Sequence, residues 1–229
     1  MTGTGVRVEP RPAEEMPGAL RRDVRLLGGL LGRVLEEAGG PGLLEDVERL
    51  RRATIALRAA DGGRRQARAR VVELVAGFDL DRAELLARAF TVYFQLVNLA
   101  EEQHRVRTLR ERRQHGGQVR ESFAAAVQEV REVAGDDWLA RLLDRLEVVP
   151  VLTAHPTEAR RRAVVDALRR IAVELLRLDA PRLPGDDQAT ATRRLLEEIT
   201  GLWRTAQLRR DRPSPLDEVR SVMAVFDAP

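Results

Sequence analysis

Leu20, Val24, Leu27, Leu31 and Val34 recur at steps of three and four residues, the spacing that gathers side chains on one face of a helix. That rhythm runs through most of the 229-residue chain. It constrains the fold more than any other feature, because each stripe must be buried against another helix. Gly39, Gly40 and Pro41 stop the first helix. "GLLEDVERLRRATIALRAA" predicts a second, ended by "DGG". A third and longest begins near Asp81, where Glu84 three residues on suggests a capping box, and His115, Gly116 and Gly117 break it. "ESFAAAVQEVREVA" and "DDWLARLLDRL" are two shorter helices, with Gly135 between them as a C-cap. A further helix is expected from about Thr157 to Leu178, on the stripe Val164, Leu168, Ile171, Leu175 and Leu178. "DAPRLPGDD" reads as a loop and "ATRRLLEEITGLWRTAQLR" as a helix. Ser214, Pro215 and Asp217 then open a last one, with Leu216, Val219, Met223 and Phe226 as its inner face.

One segment breaks the rhythm. "VVPVLTA", ending at Ala154, is apolar, rich in β-branched residues and without strict alternation. It reads as a strand buried on both faces, as in a parallel sheet. A single strand leaves N–H and C=O groups unpaired along both edges. The expectation is therefore a mainly α chain with one βα unit belonging to something larger. His155 closes the run, Thr157 can cap the next helix, and Arg160, Arg161 and Arg162 fall in its first turn. Strand ends line active sites in parallel α/β folds, and helix N-termini attract anions. Cations there oppose the helix dipole unless an anion sits among them. Two readings stand on chemistry alone. In one, His155 is an acid/base beside an anionic substrate; in the other it is a core histidine and the arginines are a solvated helix face.

Composition excludes several classes. The chain has 39 basic and 36 acidic residues and a formal charge of +3. All the basic residues are arginine, which raises the isoelectric point while leaving the surface nearly neutral. Aromatic residues make up 3 % of the chain, too few for base-stacking platforms, so nucleic acid is not an expected partner. No apolar run is long enough to span a bilayer, and residues 1–17 lack a signal-peptide core and read as a flexible arm. With no cysteine, a cytoplasmic location is expected. The three histidines have no partners at metal-ligand spacing, and no G-x-S-x-G elbow is present. A helical region over 18–146 and a second over 147–229, holding the strand, the histidine and the later helices, complete the division.

The residues around His155 closely resemble the histidine signature of the phosphoenolpyruvate carboxylases: Thr153, Ala154, His155, Pro156, Thr157, Glu158, Arg161 and Arg162. "RAFTVYFQLVNLAEEQHRVR" and "LWRTAQLRRDRPSPLDEVRSVM" are similar to two further family segments, in the family's order. The resemblance implies the N-terminal part of a helix-rich (β/α)8-barrel enzyme, with the run before His155 as the first barrel strand. It implies a carboxylating lyase that makes oxaloacetate and phosphate from phosphoenolpyruvate and bicarbonate, an anaplerotic carbon dioxide fixation. His155 would be the catalytic proton-transfer residue, and Arg161 and Arg162 contacts for the substrate anion. His104 matches the family as a structural residue. Mg²⁺ or Mn²⁺ is implied as cofactor, with its ligands outside this chain. The chain contains no lysine, so it lacks the family's catalytic lysine as well. The implied partners are the C-terminal catalytic portion and further copies in a homotetramer. An inactive fragment is the expectation for the isolated chain, and a helical interaction module is the alternative. Arg204, Ala206 and Gln207 depart from the Gln, Asp and Glu that the family pattern leads one to expect.

Overall fold

The computed structural model describes residues 16–60, 63–114, 122–149, 161–180, 184–207 and 214–226. These residues form α1 (Gly18–Ala38), α2 (Leu43–Ala59), α3 (Arg64–Ala76), α4 (Leu80–Gln114), α5 (Phe123–Ala134), α6 (Asp136–Asp144), α7 (Arg162–Leu178), α8 (Gly185–Arg204) and α9 (Pro215–Phe226). The stripe of α1 faces α4 and α8, α7 lies along α8 and touches α4, and α2 bridges α3 and α4. One core results. Leu27, Leu31, Val34 and Leu35 of α1 meet Leu86, Val92 and Leu96 of α4, Val164, Ile171 and Leu175 of α7, and Leu195, Ile199, Leu202 and Trp203 of α8. Each large side chain so buried contributes about 1.5–3 kcal/mol. The stripes read for α1 and α7 are the ones buried, with Val24, Leu168 and Leu178 at the margin.

Close approach fixes the α1–α2 corner. A Cβ on Gly39 would lie 2.6 Å from both the Leu35 carbonyl oxygen and Leu43 Cδ2, so glycine alone fits without a shift. Arg82 of α4 clamps the corner, donating to the Pro41 carbonyl at 2.8 Å and to Asp46 Oδ2 at 2.7 Å.

The expected βα unit is corrected. Among the described residues there is no strand; the chain is all-helical there and shows no part of a barrel. Leu146, Val148 and Val149 are 50, 82 and 74 % exposed, outside any helix or strand. The rest of the run, residues 150–154, lies outside the described residues. The physical reason is the one that made the strand awkward: its backbone edges need neighbouring strands, and the chain's other apolar segments are committed to helices.

Several local expectations are also revised. The helix after His155 starts at Arg162, with Arg161 in extended conformation at its N-cap (φ −73°, ψ 142°). Asp79, not Asp81, caps α4, its Oδ1 accepting from the Arg82 N–H at 2.7 Å. α8 begins at Gly185, inside the segment read as a loop. α3 went unread because it has no apolar stripe, and it buries no side chain. Of the supposed inner face of α9, Leu216, Val219 and Met223 are all exposed, and the Phe226 side chain lies outside the description. Its cap is as read: Ser214 Oγ accepts from the Asp217 N–H at 3.3 Å, and Asp217 Oδ2 accepts from the Ser214 N–H at 3.1 Å.

Candidate functional site

α7 is the element that relates the fold to the histidine motif. His155, Thr157 and Arg160 lie outside the described residues. Arg161 and Arg162 lie within them and open the helix. The Arg161 carbonyl accepts the first helical bond, from the Val164 N–H at 2.9 Å. No acidic residue occupies the first turn of α7 and its N-cap provides no side-chain hydrogen bond. The first N–H groups of a helix carry partial positive charge, so this end of α7 is electropositive. The Arg162 guanidinium, 71 % exposed, lies 3.8 Å from the Asp166 carboxylate one turn on. Such an exposed pair is worth well under about 1 kcal/mol, so it is readily exchanged for another anion.

What holds α7 is better defined. Glu174, buried, accepts from Arg194 of α8 at 3.3 Å and from Arg177 at 3.4 Å. Arg170 donates to Glu198 of α8 at 2.7 Å. At the far end, Asp179 follows the last turn and meets Arg107 of α4, which donates from Nη2 at 2.7 Å and from Nε at 3.1 Å. The same Nη2 reaches Asp23 of α1 at 2.8 Å, and Asp23 is 5 % exposed. Burial works against the Arg107 charge, but its hydrogen bonds to Asp23 and then Asp179 outweigh it, so its pKa is raised above the usual value. This junction ties α1 and α4 to the base of α7.

The junction was not singled out in the sequence, although a signal was present. Asp23 sits three residues after Leu20 and four before Leu27, on the apolar stripe itself; a charge there implies a buried partner. His104, one turn before Arg107 on α4, has a buried Nδ1 without a hydrogen-bond partner. One of the departures near the end of α8, Gln207, also acquires a place. Gln207 Oε1 accepts from Gln95 Nε2 of α4 at 2.9 Å, and its own Nε2 donates to the Leu202 carbonyl at 3.2 Å. Trp203 is buried, with the Arg88 guanidinium 5.8 Å from its ring centre.

An open groove of about 560 Å³ runs between α1 and the first half of α8, lined by Arg33, Gly185, Gln188, Thr192, Arg193 and Leu196. It includes neither Arg161 nor Arg162. Among the described residues no three histidine, aspartate or glutamate side chains converge as metal ligands. Asp23 and Asp179, brought together from distant parts of the chain, are both occupied by Arg107. The donor set of the described residues does not fit a divalent metal. No described helix is long and apolar enough to cross a membrane.

The fold defines a class in coarse terms, a helical scaffold packed around the helix that follows a histidine–arginine motif. Comparison with known proteins specifies it. The family model for phosphoenolpyruvate carboxylase matches residues 20–228, and the chain belongs to that family. It is 39 % identical over 224 residues to the phosphoenolpyruvate carboxylase of Rhodothermus marinus, covering 95 % of this chain and 22 % of that protein. Against the enzyme of Ectopseudomonas mendocina it is 37 % identical over 222 residues, covering 93 % and 24 %. The Alcanivorax borkumensis enzyme is 38 % identical over 215 residues, covering 91 % and 23 %. The chain thus spans under a quarter of the length of these relatives, as an N-terminal portion of the family's sequence would.

Proposed function

We propose that this chain supplies the histidine-bearing N-terminal portion of a phosphoenolpyruvate carboxylase, active only together with the remaining catalytic portion. The observation that carries the reading is the run Thr153-Ala154-His155-Pro156-Thr157-Glu158, followed by Arg161 and Arg162, inside a family match over residues 20–228. In the reaction, a bicarbonate oxygen attacks the phosphorus of phosphoenolpyruvate and the bond to the enol oxygen breaks, giving carboxyphosphate and an enolate. His155 takes the carboxyl proton of carboxyphosphate, which separates into carbon dioxide and phosphate. The enolate carbon then bonds to carbon dioxide to give oxaloacetate. A neutral imidazole with a pKa near its ordinary value of about 6.5 suits that proton transfer at neutral pH. Arg161 and Arg162, at the electropositive start of α7, hold the anion. A divalent metal belongs to the family's chemistry, with ligands in the remaining portion. The assembled protein is cytoplasmic and a homo-oligomer.

The isolated 229-residue chain should form no oxaloacetate; measurable formation would refute the fragment reading. In the assembled enzyme, His155→Asn should retain phosphoenolpyruvate binding and lose net carboxylation by about 10²-fold or more. Unchanged oxaloacetate output would refute the assigned role. A second reading, a non-catalytic interaction module, is favoured by one observation, the exposed apolar face of α5 and α6.

A further inference from the structure

The α5–α6 hairpin departs from the packing of the rest of the chain. Ser122 caps α5, its Oγ accepting from the Ala125 N–H at 3.1 Å, and Gly135, at φ 80°, turns the chain directly into α6. α5 and α6 pack chiefly on each other. Across both, Leu139 is the one buried side chain, and it lies outside the main core. On α6, Trp138 and Leu142 are one turn apart and Leu143 follows Leu139 by one turn; all three large side chains remain exposed. Leu146 and Val148 beyond the helix and Phe123 at the start of α5 are exposed as well.

Two helices of 12 and 9 residues are marginal in water without a partner for their apolar faces. Exposed to this degree, the side chains present several hundred Å² of apolar surface, at about 150–250 Å² for a whole aromatic side chain. Patches of about that size on a monomer mark interaction sites. The relatives indicate what covers the patch. They match 95 % of this chain with 22 % of their own length, so in them a segment like this one is accompanied by roughly four times as much polypeptide. The hairpin also runs, within ten residues of Leu146, into the motif of His155, which must meet that polypeptide if the proposed reaction is to occur.

We infer that the apolar face of α6, with Trp138 and Leu142 at its centre, is the docking surface for the family's remaining catalytic portion. The inference rests on the carboxylase reading, and its test separates the two. The chain is co-expressed with the part of the Rhodothermus marinus enzyme that follows its matched segment, and that enzyme's own matched segment serves as the positive control. Capture on a tag carried by the 229-residue chain is quantified for the native chain, for Trp138→Asp with Leu142→Asp, and for Ile55→Asp with Val72→Asp as exposed apolar controls on α2 and α3. The native chain and the control variant should capture the remainder equally, and the α6 variant at least tenfold less. Trp138 emission should move to shorter wavelength on assembly, a readout that needs no substitution on α6 and that the already buried Trp203 does not supply. Equal capture by the α6 variant overturns the inference. So does failure of the native chain where the control segment succeeds, or a dimer of the 229-residue chain alone that the α6 substitutions dissolve in sedimentation velocity. A complex that depends on α6 yet forms no oxaloacetate sinks the catalytic reading and leaves the docking surface standing. An active complex indifferent to the α6 substitutions does the reverse.

Discussion

Replacing Arg107 with methionine should cost a large share of this chain's stability, because one guanidinium serves two carboxylates. The side chain is 16 % exposed and its nearest carboxylates, on Asp23 and Asp179, are 7 % and 21 % exposed. At a charge separation of about 4 Å and an effective dielectric of about 20, each attraction is roughly 4 kcal/mol before desolvation is subtracted. Desolvation removes most of that gain in the intact junction. It does not vanish in the variant, because Asp23 stays buried with its hydrogen-bond donor gone, left beside a second carboxylate with only the exposed Arg22 guanidinium at 3.8 Å. Breaking a buried pair from one side costs about 3–5 kcal/mol. The partial exposure of Asp179 places this case at the lower end, near 3 kcal/mol. With a urea slope of about 2 kcal/mol/M, the midpoint should fall by about 1.5 M, read by circular dichroism at 222 nm. Asp23→Asn, which leaves Arg107 with Asp179, should cost less, about 1–2 kcal/mol. The double variant should lose less than the sum of the two singles by at least about 1 kcal/mol. An Arg107→Met midpoint within about 0.3 M of the native chain would refute the reasoning, and additive singles would show that Arg107 and Asp23 do not couple.

Three further outcomes are expected. Asp79→Ala should cost about 1 kcal/mol because it uncaps α4, whereas Asp81→Ala should stay within about 0.5 kcal/mol in the same urea titration; the reverse order would restore the cap read from the sequence. Gln207→Glu keeps an acceptor for Gln95 but loses the donor to the Leu202 carbonyl, and a loss of about 0.5–1.5 kcal/mol should follow, with no loss counting against that bond. The Asp217 pKa is lowered from 3.8, first by the Ser214 hydroxyl and then by the Ser214 N–H. A depressed carboxylate stabilises the fold above its unfolded pKa and stops doing so as pH falls through the folded value. The helicity difference between the native chain and Ser214→Ala should therefore persist above pH 3.8 and shrink below it; a difference that grows on acidification would contradict the cap.

What the sequence determined by itself is local or one-dimensional. The stripes of α1 and α7 depend only on steps of three and four residues, and the Ser214–Asp217 cap closes within one turn, so both were legible. The histidine motif was legible as well, since a run of eight matching residues is a linear pattern, and it pointed to the family that residues 20–228 match.

Other features depended on what each segment meets in space. α3 has no stripe to read, and α9 has one that nothing described covers, so a pattern alone misjudged both. "VVPVLTA" has the composition of a strand, but a strand exists only when its edges are paired, and the two described residues of the run, Val148 and Val149, lie outside any helix or strand. The start of α7 moved from Thr157 to Arg162 for a similar reason, because a plausible cap residue does not decide where helical hydrogen bonding begins. Arg107 meets Asp23 and Asp179 across 84 and 72 residues of sequence. No local rule brings those three together. Their ion pairs form because packing the apolar stripes of α1, α4 and α7 places a guanidinium between two carboxylates, in a site too dry to leave any of them alone.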